Sequence, residues 1–254
     1  MSQAGHLARR LTAPTSGRPG NAPVQGVARN LPDRIVDGHG PDDEHAPGPE
    51  LRRLADALRL AVDQITRTEA SPETLIRAAA AVESASTILD PETPPWAAHF
   101  PARVAASGDP HDYFPFSPVV GLYHPIAPPV MVEITNGVVH GTATLGSMFE
   151  GPPGCVHGGI IAEMFDELLG IVNIAAGVGA MTGTLTIRYR RPTPLLTALR
   201  FEGRQDGIDG RKVYASGSLY AGDDLCAEAE GIFILTNAAR FDDLRKEAEA
   251  RTNL

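Results

Sequence analysis

One strongly apolar helix, set between two β-rich stretches, constrains this chain more than any other feature. Ile160, Ile161, Met164, Phe165, Leu168, Leu169 and Val172 fall on one broad stripe at about 100° per residue. The helix is expected to begin near Gly158 and to fade at Gly177-Val178-Gly179. Upstream, "MVEITNGVVHGTATL" places β-branched runs on either side of Asn136-Gly137, a strong hairpin signal. Downstream, a strand over 184–191 alternates Leu185, Ile187 and Tyr189 and is closed by Pro192. "LRFEGRQDGIDGRKVYASGSLYAGDDLCAEAEGIFILTN" then supplies three more strands, divided at Asp209-Gly210 and Gly222-Asp223. Hairpin, long helix and meander together predict an α+β fold, an antiparallel sheet of about six strands wrapped around a central helix.

The rest of the chain divides by texture. Residues 1–49 read as a disordered or poorly ordered tail: four arginines and no acid precede Asp33, Pro and Gly are scattered throughout, and no hydrophobic period appears. The Arg-rich start also resembles a transit peptide but lacks an amphipathic face. Residues 50–110 read as a helical extension and a Pro-rich linker. Leu51, Leu54, Leu58, Ala61 and Ile65 mark one helix; Ser71 as N-cap, Pro72 and Glu73 open a second, which Pro91 ends. This pair is expected to pack on the main domain or across an oligomer interface. The main domain is assigned to 111–240 and a helical tail to 241–254.

A net charge of −9 and a pI near 5.3 argue against a nucleic-acid partner. Cys155 and Cys226 make neither a disulfide framework nor a zinc site and suit a reducing cytoplasm, the expected location. No apolar run approaches the roughly 20 residues of a bilayer span, so no stable membrane insertion is expected. No signal-peptide core appears at the start, and no cofactor or metal is called for.

The chemistry concentrates in "EGPPGCVHGGIIAEMFDELLG" (150–170). Gly158 and Gly159 put backbone N–H groups at a helix start, where unpaired donors and the helix dipole favour negative charge. A turn needing glycine only for its geometry explains them equally well, and His157 reads equally as a helix cap. Helical phase puts Glu163, Asp166 and Asn173 opposite the apolar stripe with Ala162 and Gly170, so Asp166 by itself reads as solvated. Cys155 and His157, two apart in an extended segment, point to opposite faces, which argues against a nucleophile pair. Arg188 and Arg190 share one strand face, Arg191 follows, and Arg211-Lys212 follow the next turn. They read as a phosphate site or as an ordinary charged sheet face.

Taken together, "HGGIIAEMFD", with an acid nine positions after the His, resembles the signature of hotdog-fold acyl-CoA thioesterases of the PaaI-like group. "EGPPG", "MTGTLTIRYRRPTPL" and "GRK" at 210–212 are more similar to the THEM-type branch. The likeness covers roughly 115–237. It implies that Asp166 is the catalytic acid, that the Gly158 N–H, with Gly159 adjacent, polarises the carbonyl, and that Thr182 orients water. It places the family's His at His157 and its ligand-contacting positions at Arg188, Arg190, Arg211 and Lys212. THEM-type proteins often carry Asn where Arg188 stands, and position 155, usually apolar, is Cys. The resemblance further implies a homodimer or dimer of dimers, with a site between subunits.

The expectation is an Asp-dependent acyl-CoA thioesterase acting on a fatty acyl-CoA. Asp166 would serve as general base or as nucleophile, with an acyl tunnel lined by Met164 or Phe165. Glu167 is expected on the helix surface and Glu163 is unassigned. A hotdog module that binds acyl-CoA or acyl carrier without hydrolysis is the alternative; a dehydratase rests only on the fragment "HFP" at 99–101.

Overall fold

The computed structural model describes residues 48–93, 111 and 114–252. The expected tail up to residue 47 and the "HFP" fragment lie outside the described residues. The elements in chain order are α1 (Pro49–Ile65), α2 (Pro72–Leu89), β1 (Met131–Thr135), β2 (Val138–Thr144), α3 (Gly158–Ala175) and β3 (Ala180–Tyr189). Then come β4 (Ala198–Asp209), β5 (Lys212–Ala221), β6 (Asp224–Leu235) and α4 (Ala238–Thr252).

Asn136 and Gly137 both take positive φ, 52° and 77°, the turn that fits the twist of a two-residue hairpin. It joins β1 to β2. The strands form one antiparallel sheet in the order β1-β2-β4-β5-β6-β3. After α3 the chain therefore crosses to the far edge, where β3 pairs, among the described residues, with β6 alone. This is the hotdog arrangement. β3 begins four residues before the expected strand and stops at Tyr189. Its end has a local cause: the N–H groups of Arg190 and Arg191 both donate to the Cys226 carbonyl, at 2.7 and 3.1 Å.

α3 packs against one face of the sheet. Its buried residues, among them Ile161, Met164, Phe165, Leu168, Leu169 and Val172, meet Val139, Phe201, Val213, Leu219, Ala229 and Phe233 from the strands. Glycines under the helix allow this approach. A Cβ on Gly141 would stand 3.1 Å from Leu168, and one on Gly203 3.1 Å from Val172. Phe165 meets Phe201 edge-on at 5.4 Å between centroids. Met164 and Phe165, both 1% exposed, thus fill the core instead of lining a tunnel.

Two expectations about the other helix faces are corrected. Asn173 is buried, its Oδ1 accepting from Gln205 Nε2 on β4 at 3.2 Å, because the long β4–β5 hairpin reaches the end of α3. Glu167 is not helix surface: it is half-buried, with Oε1 fully enclosed, beside Ser117 of the segment preceding β1. That segment buries Val119, Val120 and Val130. α1 holds it: Arg59 donates to the carbonyls of Gly121, Leu122 and His124 at 2.7–2.9 Å. α2 has the expected cap, with Thr74 N–H donating to Ser71 Oγ at 3.3 Å, but buries none of its residues.

Candidate functional site

The turn before α3 is built from its own polar groups. Gly154 N–H donates to Glu150 Oε1 at 2.6 Å, and His157 N–H to the Phe149 carbonyl at 2.9 Å. His157 is the N-cap of α3: its backbone is extended, and its Nδ1 accepts from Gly159 N–H at 3.0 Å. The His157 carbonyl takes the N–H groups of Ile160 and Ile161. The Gly159 N–H is therefore engaged in the cap. The N–H of Gly158 meets no acceptor among the described residues. One donor, not two, is left at the positive end of the helix dipole.

Asp166 lies two turns further on, exposed, on the side of α3 that faces the edge strand. The Thr182 hydroxyl donates to Asp166 Oδ1 at 2.8 Å. Thr182 can reach it because a register shift between Thr182 and Thr184 breaks the strict alternation of β3. At the other end of β3, the Tyr189 hydroxyl donates to the Gly158 carbonyl at 2.7 Å. Sequence reasoning missed Tyr189. The signal was its phase, on the strand face of Leu185 and Ile187 and thus toward the helix.

Asp166 and Gly158 do not meet in one chain. Eight residues of α3 separate them, about 12 Å along the axis at about 1.5 Å per residue. A thioester held by one is out of reach of the other.

The basic residues do not form one cluster in a single chain. Arg188 pairs with Glu230 at 2.8 Å and Arg190 with Glu228 at 2.7 Å, both pairs half-exposed on the outer sheet face; Arg191 pairs with Asp224. Arg188 stands opposite Glu228 in the ladder, whereas Lys212 stands opposite Ile234, six β6 residues away. That spacing is about 20 Å at about 3.3 Å per residue. Both cysteines are unpaired thiols, Cys155 partly exposed and Cys226 buried. Burial holds the Glu167 carboxyl above its ordinary pKa, and the neighbouring Asp166 and Glu163 add to the rise against the opposing Ser117 hydrogen bond.

No protein-family model matches the chain. It is 40% identical over 91 residues to the acyl-coenzyme A thioesterase THEM4 of Xenopus laevis, a match covering 35% of this chain and 41% of that protein. Against THEM4 of Mus musculus the identity is 40% over 91 residues, covering 35% and 39%. The match thus spans about two fifths of the length of these curated relatives. Among solved structures, a thioesterase superfamily protein is 35% identical with a TM-score of 0.65, over 75% of this chain and 97% of that one.

Proposed function

Since the chain belongs to the thioesterase superfamily, we propose that residues 111–240 hydrolyse the thioester of a fatty acyl-CoA to free acid and CoA, at a site that two copies build together. The names of its relatives, acyl-coenzyme A thioesterases, support the substrate class. The observation that carries the reading is the Asp166–Thr182 pair at 2.8 Å, two helical turns from a Gly158 N–H that has no acceptor among the described residues.

Asp166 is the general base. Thr182 donates to one carboxylate oxygen, which leaves the other oxygen and the lone pairs of the Thr182 hydroxyl to hold a water. The water attacks the thioester carbon and gives its proton to Asp166. The carbonyl oxygen, negative in the transition state, is held by Gly158 N–H at the helix start. Collapse expels the CoA thiolate, which takes the proton back from Asp166.

The separation of base from donor requires the second copy. β3 is an edge strand among the described residues, and Met181 and Tyr189 on it are exposed. Antiparallel pairing of β3 with β3 of a second copy, centred near Leu185, sets the Thr182 end of one chain against the Tyr189 end of the other. Asp166 of one copy then faces Gly158 of the other, and the Arg188/Arg190 end of one copy approaches Arg211 and Lys212 of the other. Those residues bind CoA phosphates, Arg188 and Arg190 by exchanging their surface partners Glu230 and Glu228, pairs that are individually weak. The test is turnover of an acyl-CoA panel by the parent, Asp166→Asn and Asp166→Ala. Folded variants should lose about 10²–10⁴-fold in kcat; near-parent rates would overturn the reading, and saturable CoA binding without thiol release would favour the binding module.

A further inference from the structure

Gly158 poses a positional problem that its own side chain cannot solve. As the residue that presents the donor it has no Cβ, and glycine is the residue whose backbone is least restrained. A donor is effective only if held where the oxyanion forms. The peptide that carries the N–H is held on one side, where the His157 carbonyl takes the N–H groups of Ile160 and Ile161; the other side of Gly158 must be fixed by something else.

Two side chains from different elements converge on the peptide unit that follows the donor. Its carbonyl, of Gly158, accepts from the Tyr189 hydroxyl at 2.7 Å; its N–H, of Gly159, donates to His157 Nδ1 at 3.0 Å. The Tyr189 ring also stands beside Gly158, where a Cβ would lie in ordinary van der Waals contact, 3.4 Å from its Oη and 3.5 Å from Cζ. The plane of one peptide is thus held at both of its polar ends, by the last residue of β3 and by the helix cap. The bonds run in one direction, from the phenol through the peptide to the imidazole, so each polarises the next. His157 Nδ1 can take part only unprotonated.

We infer that Tyr189 is a positioning residue for the reaction: through its bond to the Gly158 carbonyl it fixes the peptide next to the one that carries the Gly158 N–H, and so restrains the rotation about Gly158 that would turn this donor away from the thioester oxygen. The inference rests on the oxyanion role given to Gly158 under the proposed function. Tyr189 acts through Gly158, not on the reacting atoms. Its place at the end of the edge strand also links the donor of one copy to the strand that pairs the two copies.

Tyr189→Phe removes the one hydroxyl and keeps the ring. In steady-state turnover of an acyl-CoA it should lower kcat about tenfold, the weight of one well-placed hydrogen bond, with KM within about twofold of the parent. The second readout is the carbonyl stretch of an acyl-CoA bound to Asp166→Asn, measured by difference infrared spectroscopy with a 13C-labelled carbonyl. The band should be shifted down in Asp166→Asn and should move back toward its free value when Tyr189→Phe is added. His157→Ala combined with Tyr189→Phe should cost less than the sum of the two, because both act on one peptide. If the phenylalanine variant does not fold, 3-fluorotyrosine at position 189, a stronger donor at neutral pH, should deepen the shift. An unchanged kcat, a change in KM alone, or a carbonyl band insensitive to position 189 would overturn the role of Tyr189 and leave that of Gly158 standing. A band unshifted in Asp166→Asn itself would overturn both.

Discussion

The Thr182 hydroxyl donates to Asp166 Oδ1 at 2.8 Å, joining the middle of α3 to the start of the edge strand beside a bulge in the ladder. In the proposed mechanism this bond leaves the other oxygen of Asp166 to the water. Thr182→Val should lower kcat about tenfold, the usual net weight of a hydrogen bond to a charged group, while Thr182→Ser should stay within a few-fold of the parent. Steady-state kinetics on one acyl-CoA checks both, with thermal unfolding as the control for fold. Equal rates for the two variants would remove Thr182 from the site.

His157 caps α3 through Nδ1. His157→Ala should cost about 1 kcal/mol of stability, the usual value of an N-cap, and lower Tm by about 2–4 °C for a chain of this size. His157→Asn, which also accepts at this position, should recover most of the loss. Calorimetry of the three proteins decides. An alanine variant as stable as the parent would mean that the cap is replaced by water.

How much of this was legible in the sequence depends on the range of each interaction. The helix over 158–175 and the hairpin at Asn136-Gly137 are written in local periodicity and turn chemistry, and both stand where that pattern puts them. Asp166 shows the limit of helical phase, which says that a residue faces away from its own apolar stripe but not what meets it there. The meeting with Thr182 depends on β3 returning to the sheet edge beside that face. Helical phase does not show that Glu167 is half-buried and Asn173 buried, because what covers them, the segment before β1 and the β4–β5 hairpin, is remote in sequence and without helical period. The arginines looked like one cluster because they are near in sequence. The register of β3 against β6, strands separated by two others in the chain, gives Arg188 and Arg190 carboxylate partners and sets Lys212 at the opposite end.

Glu167 gives the stability a pH dependence of known sign. Burial raises its pKa above the ordinary 4.5, so between that value and the raised one the native state holds a proton the unfolded chain has released. Stability contributed by this group is full below 4.5 and falls as pH rises through the raised pKa. Glu167→Gln keeps the shape and cannot ionise. Its stability relative to the parent should therefore increase from acid to neutral pH, as followed by urea unfolding at a series of pH values. A constant difference between the two proteins would show that the enclosed carboxyl does not titrate in this range.

The central claim is that each site takes Asp166 from one copy and Gly158 from the other. Gly158 is the first residue of α3, where proline is tolerated, and His157 before it is already extended, so Gly158→Pro deletes the donor N–H with little demand on the fold. Asp166→Asn and Gly158→Pro should each be inactive alone. Co-expressed with two different affinity tags, they form a mixed dimer in which one site carries both lesions and the other none. The measurement is kcat per dimer of the doubly purified mixed species against an acyl-CoA. A shared site predicts recovery to about half of the parent value, from one intact site of two; a site completed within one chain predicts no recovery, and that result would contradict the account.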